Sequence, residues 1–146
     1  MEVRTEIPEC CFANKRLAAL VAREFLRAVA KANEVYLKAH PRTPALYQSG
    51  IVYKQEPWAG KYEQFATIPQ VLEQGWGDCD DLTAWRVAEI RQVLKKPADF
   101  ICYWRPNTMT WHLQVRYWDS IADRRAHPQG GYVEDPSRLL GMGYKE

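Results

Sequence analysis

No apolar run in this sequence approaches the roughly 20 residues that a membrane-spanning helix needs. The first residues, MEVRTEIPEC, lack a basic segment followed by an apolar one. No signal peptide is therefore expected, and the cytoplasm is the expected compartment. Charge of one sign is missing too, since the formal net charge is only +2. That balance gives no electrostatic footprint for nucleic acid or an anionic membrane, so neither is expected as a partner. Cysteine is scarce, at Cys10, Cys11, Cys79 and Cys102. The first two are adjacent, and sequence neighbours rarely bridge, so free thiols are expected. No His/Cys pair has zinc spacing, and no cofactor or metal is expected. Internal repeats and low-complexity tracts are absent.

What is present is globular in composition. Hydrophobic residues make up 47% of the 146, enough for one domain with a real core, so 1–146 is read as a single domain. Apolar residues at helical spacing (Ala18, Val21, Ala22, Phe25, Leu26, Val29, Tyr36) predict a long amphipathic helix over 14–38, with Asn14 as its N-cap. Arg23, Arg27 and Lys31 form a basic stripe on another face, either a solvated surface or a docking face for an acidic protein partner. Residues 41–66, punctuated by Pro41, Pro44, Gly50, Pro57 and Gly60, read as loop with a short strand near 51–54. Trp58, Tyr62 and Phe65 argue that this loop packs on the domain and lines a cleft. Thr67-Ile68-Pro69-Gln70 is a capping-box pattern opening a short helix that ends at Gly75. A second helix is expected from Asp78, as N-cap, to about Lys95. Beyond Pro97 the pattern alternates. Strands are expected over 100–104 and 110–118 as a hairpin with a turn at 106–108, then a polar loop over 120–131 and a short strand at 132–134. Helices first and antiparallel strands second argue an α+β class.

Three residues carry the chemistry. Cys79 stands in the first turn of a predicted helix, behind Gly75 and Gly77. A helix N-terminus favours thiolate over thiol, and its unpaired N–H groups suit an oxyanion. Asp78, Asp80 and Asp81 act in the opposite sense, so a nearby imidazolium would have to outweigh them. His112 lies on a predicted strand, where Trp111 beside it can wall the site from water. Asp135, at a strand end before Pro136, can accept the second ring N–H of the histidine. Each alone has an ordinary structural explanation. Together they supply nucleophile, base and orienting acid. The three aspartates are better explained as capping residues than as metal ligands.

Gly77-Asp78-Cys79-Asp80-Asp81-Leu82, then Trp111-His112-Leu113-Gln114-Val115, then Val133-Glu134-Asp135-Pro136-Ser137 resemble, in order and in gaps, the three sequence blocks of the transglutaminase-like superfamily. The matching stretch, 66–137, is about half of the chain. The resemblance implies a papain-like fold: N-terminal helices, and a cysteine-bearing helix packed on a small antiparallel sheet bearing the histidine and aspartate. It implies attack on an amide carbonyl of a protein or peptide through a thioester, as in peptidases, amidases and transglutaminases. Small stand-alone versions of this type are common in bacteria and phages. It assigns Cys79 as nucleophile, His112 as base and Asp135 as orienting acid. The oxyanion-hole side chain stays open among Gln70, Gln74 and Trp76, with Trp111 a further candidate for the cleft. A non-catalytic interaction module on the same fold is the alternative expectation.

Overall fold

The structure, a computed structural model, describes residues 2–5, 15–55, 63–105 and 110–141. Asn14, Cys10, Cys11, Pro57, Trp58, Gly60, Tyr62 and the turn expected at 106–108 lie outside these residues. The chain runs β1 (Glu2–Thr5), α1 (Lys15–Ala39), a single 3-10 turn (Leu46–Gln48), β2 (Val52–Tyr53), β3 (Glu63–Ala66), α2 (Ile68–Gln74), β4 (Trp76–Gly77) and α3 (Cys79–Gln92). There follow β5 (Ala98–Arg105), β6 (Thr110–Tyr117), α4 (Ile121–Ala126), β7 (Tyr132–Glu134) and α5 (Pro136–Leu139). This is a mixed α+β arrangement with a small antiparallel sheet, β5-β6-β7. Two further strand pairs stand apart from it: β1 with β3, antiparallel, and β2 with β4, parallel.

Helix α1 forms on the expected periodicity. Leu26, Val29, Ala30, Asn33 and Leu37 make its buried stripe. The polar member has a task, because Asn33 Oδ1 accepts the backbone N–H of Ile68 at 2.9 Å. Thr67 is the N-cap of α2, but its side chain makes no cap bond to the helix. The capping box expected at 67–70 is thus replaced by a side chain from another helix. Pro69 still occupies the first turn, and Gly75 closes α2 in the left-handed conformation, φ 83°. On the basic stripe, Arg27 is paired with Glu24 at 2.7 Å and Asp99 at 3.7 Å. Arg23 is half-buried and Lys31 is exposed.

Helix α3 is the centre of the molecule and is covered on nearly every side. Ala84, Val87 and Ile90 join Leu26, Val29, Phe65, Phe100, Leu113 and Val115 in one cluster between α1 and the sheet. Leu82, Trp85 and Ala88 join Leu37, Leu46, Ile51, Ile68 and Val71 in a second. Of the segment 41–66 expected as a packed loop, the described part packs on the domain through Leu46, Ile51 and Phe65, while Trp58 and Tyr62 lie outside the described residues. The polar loop expected at 120–131 contains a helix instead. Ser120 caps α4 by accepting the N–H of Asp123, a local bond that can organise one turn without any apolar periodicity.

The hairpin forms as expected, longer at its start, with Ala98 opposite Tyr117 and Tyr103 opposite His112. Along β6, Leu113 and Val115 face α3, which turns His112 and Gln114 to the other side of the strand. Strand β7 is three residues long and ends with Glu134 opposite Val115. At the level of His112, β6 therefore has no ladder partner on that flank among the described residues. Into this gap come Asp135 and α5.

Candidate active site

The turn into α3 explains why its sequence is so acidic. Asp78 Oδ1 accepts the N–H groups of Asp80 at 3.1 Å and Asp81 at 3.2 Å. Asp81 Oδ2 accepts the N–H of Asp78 in return, at 3.3 Å, completing a reciprocal capping box. Asp81 is buried, and its Oδ1 also takes the N–H of Ala66 at 2.8 Å, which ties the end of β3 to α3. A Cβ at Gly77 would be tight, 3.0 Å from Leu82 Cδ2 and 3.1 Å from Asp81 Cβ, so a side chain there requires its neighbours to give. Cys79 is thereby held as the first residue of a rigidly capped helix. The capping has a cost for one expectation. The first-turn amides of Asp80 and Asp81 are occupied by Asp78, so they do not serve as oxyanion donors.

His112 and Asp135 are brought together directly. His112 Nε2 and Asp135 Oδ2 are 2.8 Å apart, with the His112 side chain 2% exposed. A carboxylate can only accept, so Nε2 carries a proton in this bond, and Nδ1 is the nitrogen left to face other partners. Tyr103 packs edge-on to the imidazole with ring centroids 5.5 Å apart. Asp135 has further bonds, from Gln114 Nε2 at 3.3 Å to Oδ2 and from the Arg138 N–H at 3.2 Å to Oδ1, which caps α5. Burial alone would raise the Asp135 carboxyl. The bond and charge of His112, with the Arg138 and Gln114 donors, outweigh burial and hold it below the usual value.

Cys79 lies half-buried against the cluster that contains Leu113, on the face of β6 opposite to His112. The structure joins His112 to Asp135, and among the described residues it shows no hydrogen bond between His112 and Cys79. Its Sγ is 3.8 Å from Asp80 Oδ1. Cys102, packed on the same cluster, is a different kind of thiol: burial, with the Asp80 charge and against the Arg23 charge, pushes it up to about 11. Trp111 is half-buried and meets Trp104 edge-on at 5.3 Å, on the α3 side of the hairpin.

Comparison with family models, curated proteins and solved structures finds no match to this chain. The candidate site therefore stands on its geometry. Of the side chains considered for an oxyanion hole, Gln74 donates Nε2 to the Trp76 carbonyl at 2.7 Å and braces β4. Trp76 lies beneath Lys54, whose Nζ is 5.3 Å from the ring centre, and Gln70 is half-buried on α2. The residue that sequence reasoning missed is Tyr53. It pairs with Gly77 across the β2–β4 ladder, two residues before Cys79. Burial, then the charges of Cys79, Asp78 and Asp80, push its hydroxyl up to about 12, with Arg105 opposing. It remains a proton-bearing donor beside the cysteine at any ordinary pH. A two-residue strand inside a loop leaves no periodicity by which to find it. Among the described residues no group of three or more His, Cys, Asp or Glu side chains could hold a metal ion, and no helix is long and apolar enough to cross a membrane.

Proposed function

We propose that this chain is a thiol-dependent acyl-transfer enzyme of the transglutaminase-like, papain-like type, acting on an amide bond of a protein or peptide. The observation that carries the reading is the His112–Asp135 pair, 2.8 Å apart with the histidine buried, in a fold whose central helix starts at Cys79. In this reading the Cys79 thiol gives its proton to His112 Nδ1, the ring nitrogen not bonded to Asp135. The thiolate attacks the amide carbonyl carbon, and the carbonyl oxygen takes the negative charge. Tyr53, on the strand paired with Gly77 and beside Cys79, supplies a hydroxyl to donate to that oxygen. Collapse of the adduct breaks the C–N bond, and the imidazolium protonates the departing amine. A thioester on Cys79 remains. Water or a second amine, deprotonated by His112, attacks it and releases the thiolate.

The test is the pH dependence of iodoacetamide alkylation at Cys79, followed by mass spectrometry in the full chain and in His112→Ala. The expected result is a wild-type thiol that titrates well below its usual value of about 8.5, and a mutant thiol that returns towards it. An ordinary thiol in both proteins would sink the assignment and favour a non-catalytic module on the same fold.

A further inference from the structure

Arg86 is a largely buried cation between two carboxylates, in a place where burial ought to be unfavourable. Its Nε and Nη2 meet Glu134 Oε2 and Oε1 at 2.7 and 3.0 Å, a two-bond fork. Its Nη1 meets Glu89 Oε1 at 2.7 Å. The other Glu89 oxygen, Oε2, accepts the N–H of Leu46 at 3.0 Å. Tyr47 donates its hydroxyl to Glu134 Oε2 at 2.9 Å, and its ring lies 4.9 Å from the guanidinium carbon. The side chains of Arg86, Glu89 and Glu134 are only 13%, 6% and 19% exposed.

A buried ion network of this kind contributes little net stability compared with apolar packing. Its location gives it another role. Arg86 and Glu89 belong to α3, the helix that begins at Cys79. Glu134 is the residue immediately before Asp135. β7 ends opposite Val115, so no ladder bond reaches the level of Asp135 and His112. The guanidinium fork is a direct tie between the cysteine helix and the end of that strand.

We propose that the Arg86–Glu134 clasp is a positioning device for the active site: it sets Asp135, and through it the His112 ring, in register with the helix that carries Cys79. The proposal rests on the reading of Cys79, His112 and Asp135 as a triad. Arg86 and Glu134 touch no reacting atom. They act through Asp135 on one side and through α3 on the other. The groups shown beside the thiol include Asp80 on its own helix, whose Oδ1 is 3.8 Å from Sγ, and Tyr53 on β2.

The experiment measures the pH profile of Cys79 alkylation by iodoacetamide, with a melting curve for each protein, in wild type, Arg86→Lys, Glu134→Gln and Tyr47→Phe. Arg86→Lys keeps the charge and removes the fork. Glu134→Gln keeps the shape and removes the charge. The expected result is an acidified thiol in wild type. In Arg86→Lys and Glu134→Gln the profile moves up by about one pH unit, which slows alkylation below both pKa values about tenfold at fixed pH. Tyr47→Phe, which removes one bond and leaves the fork, moves it the same way by less. A lowered melting temperature with the wild-type profile retained would overturn the clasp and leave the triad standing. Should Arg86→Lys and Glu134→Gln fail to fold, Tyr47→Phe decides, and an unmoved profile there overturns the proposal. A wild-type Cys79 that titrates as an ordinary thiol overturns the triad reading itself, and the clasp with it.

Discussion

Asp135 does the work of two residues. One oxygen holds His112 and Gln114, and the other caps α5. Truncating it leaves a buried imidazole N–H without its acceptor, at a cost of about 1–3 kcal/mol. Asp135→Ala should therefore lower stability by roughly that amount in chemical denaturation, beyond any effect on turnover. The two described thiols differ in the same local way. Cys102 is buried and pushed up to about 11, whereas Cys79 stands at a helix start beside a proton-bearing tyrosine. Iodoacetamide at neutral pH should label Cys79 and spare Cys102, which peptide mapping by mass spectrometry would read directly. Equal labelling of the two would remove the case for an activated thiol.

The start of α3 was legible as an element because its signals are local. Asp78 and Asp81 face each other across three residues of one turn, and the reciprocal box follows from that spacing. Asp78→Ala should lower stability by about 1–2 kcal/mol, the usual value of an N-cap. It also frees the amides of Asp80 and Asp81, so the Cys79 thiol should become more acidic once the charge of Asp78 is gone. Titration of alkylation rates would show it, and a thiol made less acidic would refute the argument. The start of α2 shows the opposite case. Thr67 has the sequence of a cap, but the bond to Ile68 comes from Asn33, far away in the chain. Asn33 is legible only as an odd polar residue on an apolar stripe, and its partner is set by how α1 and α2 pack.

For the molecule as a whole, two partly buried carboxylates contribute to the response to acid. Burial would raise Glu134, but Arg86 and Tyr47 hold it below the usual carboxylate value, and Asp135 is lowered through His112. Groups lowered in the folded state stabilise it above their unfolded pKa values, roughly 4, and lose that contribution as pH falls through the lower folded values. Thermal stability should therefore fall on acidification below about pH 4. Glu134→Gln should show a shallower fall than wild type in melting temperature against pH. A fall of unchanged steepness would show that the clasp does not titrate with folding. The core offers a control at the same scale. Trp85 is fully buried at the centre of α3, and Trp85→Ala should cost about 3–5 kcal/mol by denaturant unfolding, with no pH dependence of its own.

The sequence by itself determined the elements whose signals repeat or close within a few residues. These are the apolar stripe of α1, the capped start of α3, the alternating hairpin and the third strand at Tyr132–Glu134. It also named the cysteine, histidine and aspartate as candidates, because their residue types and order limit the chemistry they can do. Tertiary structure alone decided which of these groups meet. The pairing of His112 with Asp135 depends on β7 ending opposite Val115, so that the chain turns across the open flank of β6. The helix at Ile121–Ala126, the partner of Gly77 in Tyr53, and the cation joining Glu89 to Glu134 also appeared only in three dimensions. Periodicity reports which face of an element is apolar. It holds no information on which distant polar atom will satisfy a buried donor, because that is settled only when the faces have packed.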